Sequence, residues 1–214
     1  TALNVQNFET AERFVHEVFW RTYFKGWLEH YPTVWPAYQA GLFRQLASVD
    51  KDRRLAANFS SATLGETGIG CFDAWARELV TYGYLHNHAR MWFASIWIFT
   101  LRLPWELGAD FFLRHLMDGD PASNTLAWRW VAGLQTKGRP YIARASNISK
   151  FTNGRFYPIH QLNTDVEPLT ESAQHLRRQL PYAKMAEEVK GDYLLLITEE
   201  DLQIGDTLPH APVA

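Results

Sequence analysis

The sequence is poor in the features that mark secreted and membrane proteins. It holds one cysteine, Cys71, so it cannot close an internal disulfide, and a reducing compartment is expected. Its longest apolar run, residues 91–101, has 11 residues, well short of the roughly 20 that a membrane span needs. No charged and then apolar signal segment opens the chain. We therefore expect a cytoplasmic protein with no membrane partner, in which this run forms a buried helix.

An excess of charge of either sign is also missing. The chain has 21 Lys and Arg against 23 Asp and Glu, and its apolar content of 47% is that of a globular protein. Nucleic-acid-binding domains usually carry a much stronger basic excess. Residues 160–214 are nevertheless acidic, with ten Asp and Glu against four Lys and Arg. The charge of the larger part permits an anionic partner without requiring one.

Tryptophan, in contrast, is abundant. The chain contains nine Trp, beside nine Tyr and 13 Phe, in 214 residues. This is more tryptophan than a core of this size requires, so some of the indole rings are expected to do more than pack.

Apolar residues recur mainly at spacings of three and four, which predicts an all-α fold. The predicted helices span residues 8–30, 36–49, 72–82, 85–101, 105–117 and 121–133. Gly83 is expected to end the third helix, because glycine readily adopts the left-handed conformation that terminates helices. Asp120 followed by Pro121 is expected to start the last helix as its cap and first residue.

The C-terminal part of the sequence has a different character. After Gly138 it becomes rich in Asn, Gly and Pro, and a long loop is predicted. A short amphipathic helix over residues 169–180 and one strand-like run over residues 193–198 follow. We therefore divide the chain into a helical domain, residues 1–158, and a loop-rich acidic extension, residues 159–214.

Polar side chains cluster in the middle of this apolar sequence, where packing does not explain them. The stretch LHNHARM, residues 85–91, opens the most apolar predicted helix. The motif Asp118-Gly119-Asp120 lies at a helix junction, and Asn124 follows in the first turn of the next helix. A buried arginine needs an acidic partner, so Arg90 is predicted to pair with Asp118. Such a pair can also serve structure alone.

In this order, these residues resemble the flavin-binding helical domain of the DNA photolyase and cryptochrome family. The similarity runs from Glu17 to about Tyr141 and is densest over residues 67–91 and 111–133. Its most specific part is the motif formed by Asp118-Gly119-Asp120, Asn124, Trp128 and Trp130, with these residues at these spacings. The segment from Glu17 through Trp20-Arg21 matches the family's first conserved helix. The resemblance implies a multi-helix FAD-binding domain of photolyase and cryptochrome type, with FAD as the cofactor.

The resemblance places five side chains around the flavin and its ribityl chain. They are Asn87, Arg90, Asp118, Asp120 and Asn124. Arg90, held by Asp118, would supply positive charge where a reduced anionic flavin accumulates electron density. Asp120 would accept hydrogen bonds from the cofactor. Asn124 would offer an uncharged amide, which tolerates an anionic reduced flavin.

The resemblance also implies a substrate pocket for a dinucleotide flipped out of DNA. Glu17, Trp20, Met91 and Trp130 fall where the family forms this pocket, and the two indoles would be its stacking faces. Core packing is the alternative explanation for both indoles.

Two further tryptophans match the family's electron-transfer chain to the flavin. Trp128 matches the member next to the flavin, and Trp105 matches the middle member. The surface member has no aromatic counterpart over residues 50–58. Either Trp92, Trp97 or a tyrosine replaces it, or photoreduction is slow.

The resemblance leaves two functions and one degenerate form open. The first is a deoxyribodipyrimidine photo-lyase-like enzyme that binds damaged DNA and splits a pyrimidine photoproduct by electron transfer from excited reduced flavin. The second is a cryptochrome-like light or redox sensor without repair activity, which signals through a protein partner. His88 favours the second function, since the family commonly has an arginine there against DNA phosphate.

The degenerate form is a helical scaffold that has lost FAD. The sequence has no counterpart of the family's antenna domain or of the Ser/Thr-rich segment that clamps the FAD phosphates. This segment was lost, lies outside this sequence or comes from a partner. This difference, more than any single substitution, bears on how tightly FAD is held. No metal site is expected.

Overall fold

The computed structural model describes residues 8–180, in which eight α-helices and one π-helical turn follow one another without a β-strand. The helices are α1 (Phe8–His30), α2 (Val34–Lys51), α3 (Arg53–Leu64), α4 (Gly70–Tyr82), α5 (Asn87–Ser95), α6 (Trp105–His115), α7 (Pro121–Val131) and α8 (Ala145–Phe151). The π-helical turn, Ile96–Thr100, continues α5. The predicted all-α fold is confirmed, and the predicted strand-like run at residues 193–198 lies outside the described residues.

Two helix boundaries follow directly from residue type, as predicted. Gly83 has a φ of +66° and ends α4 in the left-handed conformation. Asp120 caps α7, where its Oδ2 accepts a hydrogen bond from the backbone N–H of Ser123 at 2.8 Å, and Pro121 is the first helical residue.

The helices α3 and α8 were not predicted. Asp52 ends α2 and caps α3, because its Oδ1 accepts hydrogen bonds from the backbone N–H groups of Arg54 at 2.9 Å and Leu55 at 3.1 Å. The charged stretch that contains this cap resembles a loop in sequence. Helix α8 has seven residues and buries Ile148 alone, so it is too short for a periodic pattern.

The helix predicted over residues 169–180 is wrong. This segment, here called the C-terminal strap, has no helical hydrogen bonding and lies against the helices. The backbone N–H of Leu169 donates to the carbonyl of Ala132 at 3.0 Å, and that of Arg178 donates to the carbonyl of His30 at 2.7 Å. These contacts with distant residues satisfy backbone groups that a helix would pair internally.

Side chains also fasten the strap. Glu171 accepts two hydrogen bonds from the guanidinium of Arg129, at 2.6 and 2.9 Å, and Arg129 is almost fully buried. The ring of His175 lies 3.4 Å from the same carboxylate and is hydrogen bonded to the hydroxyl of Thr33 at 2.9 Å. The strap therefore belongs to the same compact unit as the helices.

An aromatic cluster fills the core between α5, α6 and α7. Trp97 and Trp128 meet edge to face, with ring centroids 6.1 Å apart. Gly108 of α6 lies directly beneath them, and a Cβ there would overlap the Trp128 ring and reach 2.9 Å from Trp97 Nε1. Glycine is thus required at this position by the close approach of two indoles.

Helix α7 packs against α1, α5 and α6, so it brings residues that are far apart in sequence to one region. No helix within residues 8–180 is long and apolar enough to cross a membrane.

Candidate functional site

The predicted pair of Arg90 and Asp118 is present. Arg90 Nη2 lies 3.0 Å from both carboxylate oxygens of Asp118, and its Nε donates to the carbonyl of Leu85 at 2.8 Å. The side chains of Arg90 and Asp118 are 24% and 43% exposed, so the pair lies at the surface rather than in the core. The guanidinium is fixed at two points and still faces solvent, which suits it to meet a bound anion.

Arg21 joins this pair from α1 and was not predicted as a site residue. Its Nη2 donates to the backbone carbonyl of Asp118 at 3.0 Å and lies 3.7 Å from the carboxylate. One acidic residue thus meets two arginines from different helices. The position of Arg21 next to Trp20 in the conserved first helix was the signal available in the sequence.

Two polar side chains lie at the starts of helices near the pair. Asn87 is the exposed first residue of α5. Asp120 uses its Oδ2 to cap α7. Capping of the helix accounts for an acidic residue at position 120. The other carboxylate oxygen, Oδ1, is the atom that would accept a hydrogen bond from a cofactor.

Asn124 is buried and its orientation is fixed. Its Nδ2 donates to the carbonyl of Ala109 in α6 at 2.8 Å. Because this contact engages the amide nitrogen with the neighbouring helix, the amide cannot rotate freely. The residue is therefore a neutral, preorganised polar group in the first turn of α7.

Trp128 is buried among aromatic rings and carries an unsatisfied donor. It lies edge to face with Phe112, at 5.1 Å between centroids, and with Trp97. Its Nε1 is buried and finds no acceptor among the residues that the structure describes. A buried N–H without a partner is costly, so this atom is a place where a bound group with an acceptor would gain a hydrogen bond.

Trp105 has other ring neighbours than Trp128. It packs on Tyr38 of α2 at 5.4 Å, and Tyr38 packs on the half-buried Trp35 at 5.3 Å. The guanidinium of Arg129 lies 6.0 Å from the Trp105 ring. The Tyr38 hydroxyl is buried and has no hydrogen-bond partner within residues 8–180. Burial, and then the carboxylates of Asp110 and Glu106, raise the pKa of Tyr38.

The predicted substrate residues lie apart from this core. Trp20 and Trp130 are 53% and 38% exposed, on α1 and α7 respectively. Trp20 contacts aromatic rings of its own helix, whereas Trp130 stacks on Tyr141 at 5.5 Å. Glu17 is exposed and Met91 is half-buried. The exposure of both indoles argues against core packing as their purpose.

The donor set fits a flavin. It offers a solvent-facing guanidinium at Arg90, a fixed neutral amide at Asn124, a second amide at Asn87 and a buried indole N–H at Trp128 that lacks an acceptor. Flavin rings and their ribityl chain present both acceptors and donors, which such groups can satisfy.

Comparison with known proteins agrees with this chemistry. The family model described as the FAD binding domain of DNA photolyase matches residues 14–163. The deoxyribodipyrimidine photo-lyase of Streptomyces griseus is 38% identical over 131 residues, which cover 61% of this chain and 27% of that protein. Those of Neurospora crassa and Alkalihalophilus pseudofirmus are 34% and 30% identical over 133 and 195 residues. These matches cover 62% and 89% of this chain, but 21% and 38% of the two relatives.

Proposed function

This chain belongs to the family of the FAD binding domain of DNA photolyase, whose cofactor is FAD, and on that premise we propose that it serves light-driven repair of pyrimidine photoproducts in DNA. The chain spans between a fifth and two fifths of these three relatives. The observation that carries the proposal is the set of groups described above: the Arg90–Asp118 pair, the fixed neutral amide of Asn124 and the unsatisfied N–H of Trp128.

Arg90 is the electrostatic centre of the proposed site. FAD, when bound, supplies a light-absorbing one-electron donor. Asp118 and the carbonyl of Leu85 hold the guanidinium in place, so its charge is preorganised toward an electron-rich ring. Asn87 and Asp120 would position the cofactor by hydrogen bonds. Asn124 would keep its neighbourhood neutral, because an amide adds no negative charge.

Trp20 and Trp130 would bind the damaged bases. Both indoles are partly exposed, as a stacking face must be, and α1 packs against α7. Glu17 would accept a hydrogen bond from a base edge, and Met91 would fill the apolar side of the pocket. A flipped dinucleotide exposes ring faces and edges that such groups recognise.

Trp128 and Trp105 would donate electrons, one after the other, to the photoexcited oxidised flavin and so reduce it. Trp97, which touches Trp128, and Tyr38, which touches Trp105, are the aromatic neighbours through which such a path would continue. Trp97 is fully buried, so the ring contacts support a path that continues from Trp105 through Tyr38 instead.

Repair is tested by illuminating protein loaded with reduced FAD together with an oligonucleotide that contains one thymine dimer. We expect the dimer to disappear in light and to persist in darkness. A Trp20→Ala variant should keep its flavin absorbance and lose affinity for the damaged oligonucleotide. Dimer loss no greater than in a sample without protein would contradict the proposal.

A light or redox sensor that acts on a protein partner is the second candidate, and the packing of His88 favours it. The His88 ring stacks on Trp92 at 5.6 Å and lies 4.7 Å from Phe151, so it is held by aromatic rings rather than turned outward. A DNA phosphate contact at this position would need a free cationic side chain. If the flavin is photoreduced normally but the protein leaves the thymine dimers intact, the result would favour this second function.

A further inference from the structure

Two adjoining cavities lie between α1 and the C-terminal strap. The larger has a volume of about 410 Å³ and the smaller about 350 Å³. His30 and Arg177 line both of them. Sites for small ligands typically measure about 300–1,000 Å³, so each cavity is large enough for part of a small molecule.

The larger cavity is aromatic. Trp27 and Tyr31 stack at 4.2 Å with an angle of 22° between their planes, and Tyr23 lines the same cavity. Gly26 also lines it, and a Cβ added there would meet no atom within 4 Å, so the missing side chain leaves open space. Flat aromatic walls of this kind favour a planar ring as occupant.

The smaller cavity is polar and carries positive charge. Its lining consists of His30, Arg177 and Gln179. The strap sets this edge, because His30 is hydrogen bonded through its backbone and its ring to the backbone of Arg178, at 2.7 and 3.1 Å. Among residues 8–180, no carboxylate lies within ion-pair distance of Arg177. A guanidinium that lacks a carboxylate partner among these residues is suited to bind an anion, such as a phosphate, by two parallel hydrogen bonds.

We propose that this double cavity binds a nucleotide, with the base against Trp27 and Tyr31 and the phosphate at Arg177 and His30. A nucleotide joins one planar ring to one anion, which is the combination that two adjoining cavities of these linings recognise. The site shares no residue with the proposed flavin and substrate residues. The proposal therefore extends beyond the repair function and does not depend on it.

Isothermal titration calorimetry with thymidine 5′-monophosphate tests the proposal. We expect thymidine alone and inorganic phosphate alone to bind at least about tenfold more weakly than the nucleotide, because each fills one cavity. Arg177→Ala should weaken nucleotide binding about tenfold. Trp27→Leu should do the same, and Trp27→Phe, which keeps a ring, should cost less.

Arg178→Ala is the matched control, since Arg178 is the neighbouring strap arginine whose backbone, not its side chain, makes the contact with His30. This variant should bind as the wild type does. Circular dichroism and flavin absorbance of the same samples show whether each variant is folded and loaded, independently of nucleotide binding.

The same nucleotide chemistry occurs free in solution and within a DNA strand. A thymidine hexanucleotide that binds more tightly than the monophosphate, and is weakened by Arg177→Ala, identifies the strand as the source. A hexanucleotide that binds no better identifies the free nucleotide. Three results would overturn the proposal: no binding of the monophosphate at millimolar concentration, phosphate binding as tight as nucleotide binding, or equal losses in the Arg177 and Arg178 variants.

Discussion

Arg90 pairs with Asp118, whose side chain remains accessible to water. The effect of removing the Arg90 side chain on stability depends on this exposure. The Asp118 side chain is 43% exposed, so it can be hydrated when its partner is gone. Exposed ion pairs contribute about 0–1 kcal/mol to stability. The pair is therefore better explained by the placement of charge than by the stability of the fold.

We expect Arg90→Ala to reduce flavin occupancy several-fold while lowering the free energy of unfolding by about 1 kcal/mol or less. Flavin absorbance per protein and urea unfolding measure the two effects. Arg114→Ala is the control, because Arg114 pairs with Asp110 in an exposed contact at 2.6 Å within α6. A loss of flavin as large in this control variant would show that the effect is not specific to Arg90.

Gly108 is the residue on which the indole packing depends most directly. The Cβ of Gly108→Ala would overlap the Trp128 ring, and both rings sit in a filled core. Overpacking of this kind costs about 1–3 kcal/mol, so the urea midpoint should fall clearly. Gly70→Ala, at an exposed position with no atom near the added Cβ, should change the free energy of unfolding by less than about 0.5 kcal/mol. Equal effects of the two substitutions would refute the packing argument.

At the scale of elements, the carboxylate of Glu171 is the charged group of the strap that pairs with the buried Arg129. Burial alone would raise the pKa of Glu171, but hydrogen bonds and charge from Arg129, and then from His175, lower it below its ordinary value of 4.5. A lowered pKa in the folded state means that the stabilisation is complete above about pH 4.5 and is lost as the pH falls through the folded-state pKa.

We expect amide hydrogen exchange of residues 169–180 to accelerate as the pH falls below about 4.5, relative to intrinsic exchange rates. Glu171→Gln should remove this pH dependence and weaken the strap at neutral pH by about 1–3 kcal/mol, since Arg129 is left buried with a poorer partner. The exposed Glu167→Gln should keep the wild-type profile. An unchanged profile in Glu171→Gln would assign the pH dependence to another group.

The same elements show what sequence alone can determine. The ends of α4 and α7 are set by Gly83 and Asp120 within one helical turn, so residue type was enough to predict them. The strap is different, because its amphipathic pattern indicates a helix while Ala132 and His30, far away in the chain, take its backbone hydrogen bonds. No local signal carries that information.

In the candidate site, too, some features could be predicted from the sequence and others could not. The pairing of Arg90 with Asp118 follows from the cost of leaving charges unpaired, and it was predicted. Neither the exposure of that pair nor the contact of Arg21 with Asp118 follows from composition or spacing, because both depend on how α1 packs. The separate ring neighbours likewise arise from tertiary packing, because Trp128 meets Trp97 above Gly108 while Trp105 packs on Tyr38 of α2.

At the scale of the whole molecule, the aromatic rings form two routes that differ in where they lead. Trp97 is surrounded by Phe59, Phe72, Phe93 and Phe111, which resist oxidation, so a route from Trp128 through Trp97 stays in the core. The contacts from Trp105 through Tyr38 reach Trp35, which is half-buried.

We therefore expect Trp105→Phe to slow light-driven reduction of oxidised FAD, while flavin occupancy and stability change little. Time-resolved absorbance of the illuminated protein measures the rate. Trp97→Phe is the comparison, and its rate should remain close to that of the wild type. The reverse order of the two rates would place the path through Trp97 instead.

The Tyr38 hydroxyl is buried and has no acceptor among the described residues. This limits how long the Tyr38 ring can remain oxidised. A phenol that loses an electron becomes a strong acid, and it is a stable radical only once its proton has left. Within residues 8–180, no acceptor lies within hydrogen-bond distance of the hydroxyl to receive this proton directly. Tyr38 would thus be oxidised only briefly during electron transfer. The longer-lived radical would be that of a tryptophan, because an oxidised indole can keep its proton.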